Sequence, residues 1–269
     1  MNTLSVISTT YCKEKPDNLY QCLSSIFGQT LLPDKVILVA DGELTSGLYK
    51  VIADFKSKYP DLFVFYETPD NKGNWYASNV AVSLCETDIV AKIDSDDILL
   101  PDYTAKIVEA FDNGIDICGV YIEEFDDETG EVISIKKTPV KHNSIHAYAK
   151  RRNPFNNPGI AFSRSIANKI GVYRNMERCE DYDFCVRMLM EGAKAGNIPK
   201  VLVRYRTSAD NIRRRKNSRN TKWFIISRWR IHKMGFSSLR DFIIPVLGQI
   251  LLFFMPVKLA EKFYKNTLR

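Results

Sequence analysis

The chain has 269 residues, 45% hydrophobic and 26% charged, with a formal net charge of +6. That length suits one large domain or a domain with an appendage, and the composition excludes a disordered or low-complexity chain. The positive excess suits nucleic acid, an anionic membrane surface or a polyphosphate ligand, and much of it lies late, between Arg204 and Arg240.

Residues 4–9 form a β-rich run, and 19–27 carry helical spacing in Leu19, Cys22, Leu23 and Ile26. A second, apolar strand covers 35–40 and ends at Asp41-Gly42. A helix over 48–59, a strand over 62–66, a polar turn at 70–74 and a helix over 75–84 lead to a strand over 89–93. Continuous apolar strands alternating with helices predict a parallel sheet covered on both faces, an α/β fold. Thr9, Tyr11, Asp41 and the acids after residue 93 then fall at strand carboxyl ends, where open α/β sheets bind ligands.

A helix over 102–111, a strand over 117–125, a turn at 126–130 and a returning strand over 131–136 add antiparallel pieces. Residues 153–159 are too rich in Pro, Asn and Gly for regular structure. Helices are expected over 163–170 and 184–191, the latter opened by Glu180-Asp181-Tyr182-Asp183, with a last strand over 201–205. Carboxylates in a first helical turn meet the helix dipole favourably, which by itself would explain Asp181 and Asp183.

From residue 211 the character changes: a basic run including Arg213, Arg214 and Arg215 precedes Trp223, Phe224 and Trp229. Residues 242–257 carry no charge but are interrupted by Pro245, Gly248, Gln249 and Pro256, too short and broken for a membrane span. Basic flanks point to a segment lying on an anionic membrane, against a plain helical cap on the core. The expected organisation is a domain over 1–210 and a basic, amphipathic helical extension over 211–269. Six cysteines without a Cys-x-x-Cys spacing exclude a zinc or disulfide framework. The opening residues lack a signal-peptide layout, so a cytosolic protein with reduced thiols is expected.

The chemistry centres on Asp94-Ser95-Asp96-Asp97. Carboxylates this close repel unless positive charge sits among them, and an oxygen-rich cluster suits Mg²⁺ or Mn²⁺. Leu4-Ser5-Val6-Ile7-Ser8-Thr9-Thr10-Tyr11, Leu23-Ser24-Ser25-Ile26-Phe27-Gly28-Gln29-Thr30, Val36-Ile37-Leu38-Val39-Ala40-Asp41-Gly42, Asn71-Lys72-Gly73 and Asp94-Ser95-Asp96-Asp97 follow in order. Together they resemble the inverting family 2 glycosyltransferases of the GT-A fold, a Rossmann-like, mainly parallel mixed sheet with helices on both faces.

The resemblance, over roughly 4–215, implies a sugar moved from a UDP-sugar, with UDP-galactose favoured and UDP-GlcNAc next. The acceptor would be a lipid-linked saccharide on undecaprenyl diphosphate, in bacterial O-antigen or capsule assembly. Asp181 is implied as the base, with Glu180 beside it. Thr9, Tyr11, Asp41, Lys72, Asp94, Ser95 and Asp96 would hold the nucleotide sugar, and Asp96 with Asp97 the Mn²⁺ or Mg²⁺. Asn156 or Asn157 would meet sugar hydroxyls; Arg213, Arg214 or Arg215 would reach the pyrophosphate or lipid. The enzyme would sit peripherally on the cytoplasmic face of the cell membrane, and no nucleic acid is expected. Cys12, Ala40 and Ser78 depart from the family pattern; with the usual Arg missing at 78, Lys72 is the substitute contact. Two other readings compete: an aspartate-nucleophile phosphatase, and a non-enzymatic nucleic-acid or membrane module on the basic stretch 213–230.

Overall fold

A computed structural model describes residues 2–207 and 217–255. Four parallel strands begin the main sheet: β1 (Leu4–Thr10), β2 (Lys35–Ala40), β3 (Phe63–Glu67) and β4 (Ile89–Asp94). Helices α1 (Pro16–Phe27), α2 (Ser46–Lys58) and α3 (Asn74–Ser83) connect them. β9 (Ile160–Ser163) adds antiparallel to β4, and β6 (Ile117–Cys118) antiparallel to β9, giving the strand order β3-β2-β1-β4-β9-β6. The apolar runs are buried on both faces. Val36 and Leu38 join the core under α1 and α2, while Ile37 and Val39 join the core under α3. Register sets Thr9 beside Asp94 and Thr10 beside Ala40, so the three strand ends share one edge.

A second sheet of β5 (Ile98–Leu99), β7 (Val120–Asp126), β8 (Val132–Lys136) and β10 (Ile198–Thr207) runs in the order β5-β10-β7-β8. β10 lies parallel to β7, which carries it back to the acid turn after β4. The expected single strand over 117–125 is two, in different sheets, parted at Gly119, whose N–H donates to Asn197 Oδ1 at 2.7 Å rather than to a neighbouring strand. β5, β9 and the helix α5 (His142–Ala149) are not marked by the sequence periodicity; the strands are two and four residues long, too short for a pattern.

Helices α4 (Tyr103–Asp112), α6 (Arg164–Lys169) and α7 (Glu180–Met190) complete the frame. Next among the described residues come α8 (Ser218–Lys233) and α9 (Leu239–Phe254). α8 packs on α7, and its Ile231, with Phe236 beyond it, belongs to the core on that face. α9 starts with a capping box between Ser238 and Asp241 and contacts α8 through Trp229 and Phe242, whose ring centroids are 5.3 Å apart. None of its residues is buried. Among the described residues no helix is long and apolar enough to cross a membrane. The expected boundary at 210–211, the arginines at 213–215, and residues 256 and 257 lie outside the described residues.

The loop at 153–159 is seated by Gly159, whose N–H donates to Lys92 O at 3.0 Å. Gly159 has φ +77°, and an added Cβ would stand 2.6 Å from Val203 Cγ2 and 3.1 Å from Val120 Cγ2. Gly159→Ala should therefore cost about 2 kcal/mol or more in urea unfolding, from positive-φ strain and overpacking together. An unchanged midpoint would show that the loop is not held this way.

Candidate active site

A cleft of about 750 Å³ opens at the strand ends, lined by Thr9, Tyr11, Asp41, Gly73, Asp94, Ser95 and Asp96 among others. Asp41 accepts the backbone N–H groups of Lys72 and Gly73, both at 2.8 Å, and so anchors the turn before α3. Gly73 there has φ +98°. Lys72 does not line this cleft; its ammonium lies 4.9 Å from the Tyr76 ring centroid. Thr9 Oγ1 donates to Asn74 Oδ1 at 2.7 Å, and Ser95 Oγ to Glu14 Oε2 at 2.9 Å.

The acids after β4 divide. Asp94 pairs with Lys92, 2.8 Å away and 2% exposed, on the face of β4 toward α3 and α7. Burial alone would lower the Lys92 pKa, but Asp94, Glu180 and Asp181 outweigh it and hold the ammonium above its ordinary value. Asp96 faces the cleft, and its pKa is pushed up to about 7, first by burial and then by the charges of Asp94 and Glu14. Asp97 departs from the metal-facing position expected of it. It is fully buried, does not line the cleft, and its Oδ1 accepts the Arg206 N–H at 2.8 Å. Its Oδ2 is buried without a hydrogen-bond partner among the described residues, and burial with the neighbouring acids raises its pKa.

Lys92 and Arg206 are the cations that the chain places among these acids, and Asp96 is still forced toward its neutral form. A carboxylate in that state, facing a cleft, fits a divalent cation. Among the described residues no three acidic, His or Cys side chains converge into a ready-made cage. Phosphate oxygens of a ligand would have to complete the set, as is common for Mg²⁺.

A second cavity of about 720 Å³ lies beyond Asp94 and is lined by Asp94, Asn153, Asn156, Asp181, Arg228 and the inner side of α9. Cys179, at φ 62°, turns the chain left-handed before α7 and puts Glu180 and Asp181 in its first turn. Asn153 Nδ2 donates to Asp181 Oδ2 at 3.0 Å. Glu180 is pushed up to about 7 by burial and then by Asp181, and accepts from Asn74 Nδ2 at 3.5 Å. Asn156 differs from the sugar-contact expectation: it is buried and its Nδ2 donates to Val120 O at 2.9 Å, tying the loop to β7. Asn157 lines the same cavity and is half-buried. Asp183 is wholly structural, buried and paired with Arg187 at 2.7 Å.

Asp94 and Tyr205 line both spaces, so the two cavities meet there. Lys92 and Arg228 belong to no motif, and Asn153 opens the 153–159 loop, in which Asn156 or Asn157 is the expected sugar contact. A lysine inside a doubly covered apolar strand is the one sequence signal that marks Lys92.

Comparison with known proteins follows the same lines. Residues 5–171 match the glycosyl transferase family 2 domain, and 89–262 the glycosyl transferase family group 2. The chain belongs to glycosyltransferase family 2. It is 33% identical over 267 residues to the UDP-Gal:alpha-D-GlcNAc-diphosphoundecaprenol beta-1,3-galactosyltransferase of Escherichia coli, covering 98% of this chain and 96% of that one. It is 33% identical over 214 residues to the amylovoran biosynthesis glycosyltransferase AmsE of Erwinia amylovora, 79% of each chain. Among solved structures, the mannosyltransferase PcManGT of Pyrobaculum calidifontis with GDP-Man and Mn²⁺ superposes with TM-score 0.67 at 16% identity, over 96% of this chain and 72% of that one. TarS of S. aureus with UDP superposes with TM-score 0.58 at 18% identity, over 84% and 65%. The fold is GT-A and the protein is an enzyme of the glycosyltransferase class, which decides against the phosphatase and the non-enzymatic module.

Asp96 also sets a pH prediction. Its folded pKa lies above the unfolded value, so its contribution to stability is present below about pH 4 and lost as pH rises through about 7. In metal-free buffer at pH 8, Asp96→Asn should raise the melting temperature by about 2–4 °C, the shift for ~1 kcal/mol in a chain of this size. At pH 4.5 the difference should shrink. A lower melting temperature at pH 8 would remove the charge-crowding argument.

Proposed function

We propose that this glycosyltransferase moves a hexose, galactose by preference, from a UDP-sugar onto a saccharide carried on undecaprenyl diphosphate, with inversion at the anomeric carbon. One observation carries the proposal: Asp94 stands where the strand-end cleft meets a second cavity holding Asp181. The cleft suits a nucleotide sugar and the second cavity an acceptor, with the reacting carbon between them. The donor and acceptor named for the E. coli relative support this pairing.

In this reading Thr9, Tyr11 and Asp41 surround the base, and the turn that Asp41 anchors closes one wall. Mn²⁺ or Mg²⁺ would be held by Asp96, with Asp94 beside it and Asp97 behind it, and would neutralise the leaving diphosphate. Lys92 holds Asp94 in place and keeps positive charge between the donor acids and the Glu180–Asp181 pair. Asp181 accepts the proton of the acceptor hydroxyl as the new bond forms. Asn153 fixes which oxygen of Asp181 is turned away, leaving the other for that proton. A single displacement with one base needs no covalent nucleophile.

α9 supports a membrane-side location. Leu247, Leu251 and Phe254 are 55%, 68% and 78% exposed, an apolar face suited to the bilayer interface. A peripheral position on the cytoplasmic face of a bacterial membrane would bring the site to a substrate fixed in that bilayer.

A UDP-release screen of UDP-Gal, UDP-Glc, UDP-GlcNAc and UDP-GalNAc with Mn²⁺ should show UDP-Gal fastest; equal rates for all four would refute donor selectivity. Asp181→Asn should lower transfer about 10²-fold or more while UDP affinity holds within a factor of about two. Near-normal turnover in that variant would take Asp181 out of the mechanism.

A further inference from the structure

The second cavity has a charged floor that proton transfer does not use. Arg228 on α8 lines it and is only 7% exposed. Its hydrogen bonds go to neutral oxygens of Phe224, Ser227 and Arg151, at 3.3 to 3.5 Å, and its Nε is buried with no partner among the described residues. The Phe224 ring centroid is 3.2 Å from its guanidinium carbon and that of Tyr182 is 5.2 Å away. Such stacking orients a guanidinium and relieves part of its desolvation, but it brings no counter-charge. Among the described residues no carboxylate forms an ion pair with it, and Asp181 acts on it only at longer range. A buried cation left without a hydrogen-bonded anion is expensive, so a site that keeps one open to a cavity is shaped for an anionic ligand.

The surroundings narrow the ligand. Arg152 is exposed at the rim, 5.8 Å from the Tyr148 ring, and Lys137 lines the same space. Gly248, Leu251 and Leu252 of α9 line it too, continuous with its exposed apolar face. Cations and hydrocarbon in one cavity match an anionic headgroup attached to an alkyl chain; Asp94 and Asp181 line the same space. A nucleic-acid backbone would satisfy the cations but leave the leucines wet.

We propose that this cavity binds the diphosphate and first hydrocarbon units of a polyprenyl-type diphosphate, with Arg228 and Arg152 on the phosphate oxygens and Leu251 and Leu252 against the chain. That the attached sugar then points to Asp181 rests on the proposed function. A planar guanidinium presents paired N–H donors to phosphate oxygens, so arginine, not lysine, suits the floor.

The test uses the full chain and farnesyl diphosphate, titrated calorimetrically in EDTA so that no metal holds the diphosphate at Asp96. UDP binding with Mn²⁺ is measured in parallel. Wild type should bind farnesyl diphosphate more tightly than inorganic pyrophosphate or farnesol. Arg152→Ala and Arg228→Lys should each weaken it about tenfold or more, the loss of a charge-assisted hydrogen bond, while UDP affinity is retained. Leu251→Glu should weaken farnesyl diphosphate but not pyrophosphate. Unchanged farnesyl diphosphate affinity in both arginine variants overturns the proposal, as does pyrophosphate binding as tightly as the lipid. Should Arg228→Lys misfold, its UDP binding is lost as well, and the exposed Arg152 decides alone. Failure of wild type to bind UDP would instead count against the glycosyltransferase site, leaving the lipid result to stand separately.

Discussion

Carboxylate crowding at the end of β4 is the constraint around which this molecule is arranged. Asp94, Asp96 and Asp97 leave the sheet within four residues, and Glu14 closes in through Ser95. Lys92 answers from inside the strand and Arg206 from β10, whose Nε donates to Asp96 O at 2.8 Å and whose Nη1 lies 2.6 Å from Asp127. Buried pairs of this kind add little net stability, because desolvation takes back most of the attraction. What they supply is position. Arg206 ties the second sheet to the acid turn, and Lys92 ties the turn to the face on which α7 lies.

In the proposed reaction that arrangement separates donor and acceptor chemistry, which must nearly touch. The cleft side is polar and keeps one acid, Asp96, poised near neutrality. The other side is built by elements distant in sequence: the 153–159 loop, the first turn of α7, and α8 with α9. Asn153 orients Asp181 from the loop, while Asn156 and Gly159 pin that loop to β7 and β4. The loop is irregular, yet its buried polar groups mostly have partners, so it positions a side chain as firmly as a helix would.

α8 and α9 extend the same logic to charge and hydrocarbon. α8 contributes Ile231 to the core and Arg228 to the cavity from adjacent turns. α9 buries no residue and offers its apolar side chains outward. A helix that is apolar on its outer face is more stable in contact with something other than water, as the proposed membrane-borne substrate would supply.

The sequence by itself determined the parallel half of the fold, from β1 through β4, because strands covered on both faces write long apolar runs. It also placed Thr9, Asp41 and the Asp94–Asp97 acids at one sheet edge, since strand ends follow from strand assignment. Glu180 and Asp181 stand at a helix start, which alone would explain such acids; the family resemblance is what marked them as catalytic. Short strands such as β5 and β9 left no periodicity to read. Only the tertiary structure decided that Asp97 turns inward while Asp96 faces the cleft, that Asn156 is a loop anchor, and that Lys92 and Arg228 are buried. Spacing along a chain says which residues are near in sequence; burial and counter-charge depend on what folds over them. The charges of Lys92 and Arg228 act on Asp181 from 89 and 47 positions away in the chain, separations that no local pattern encodes.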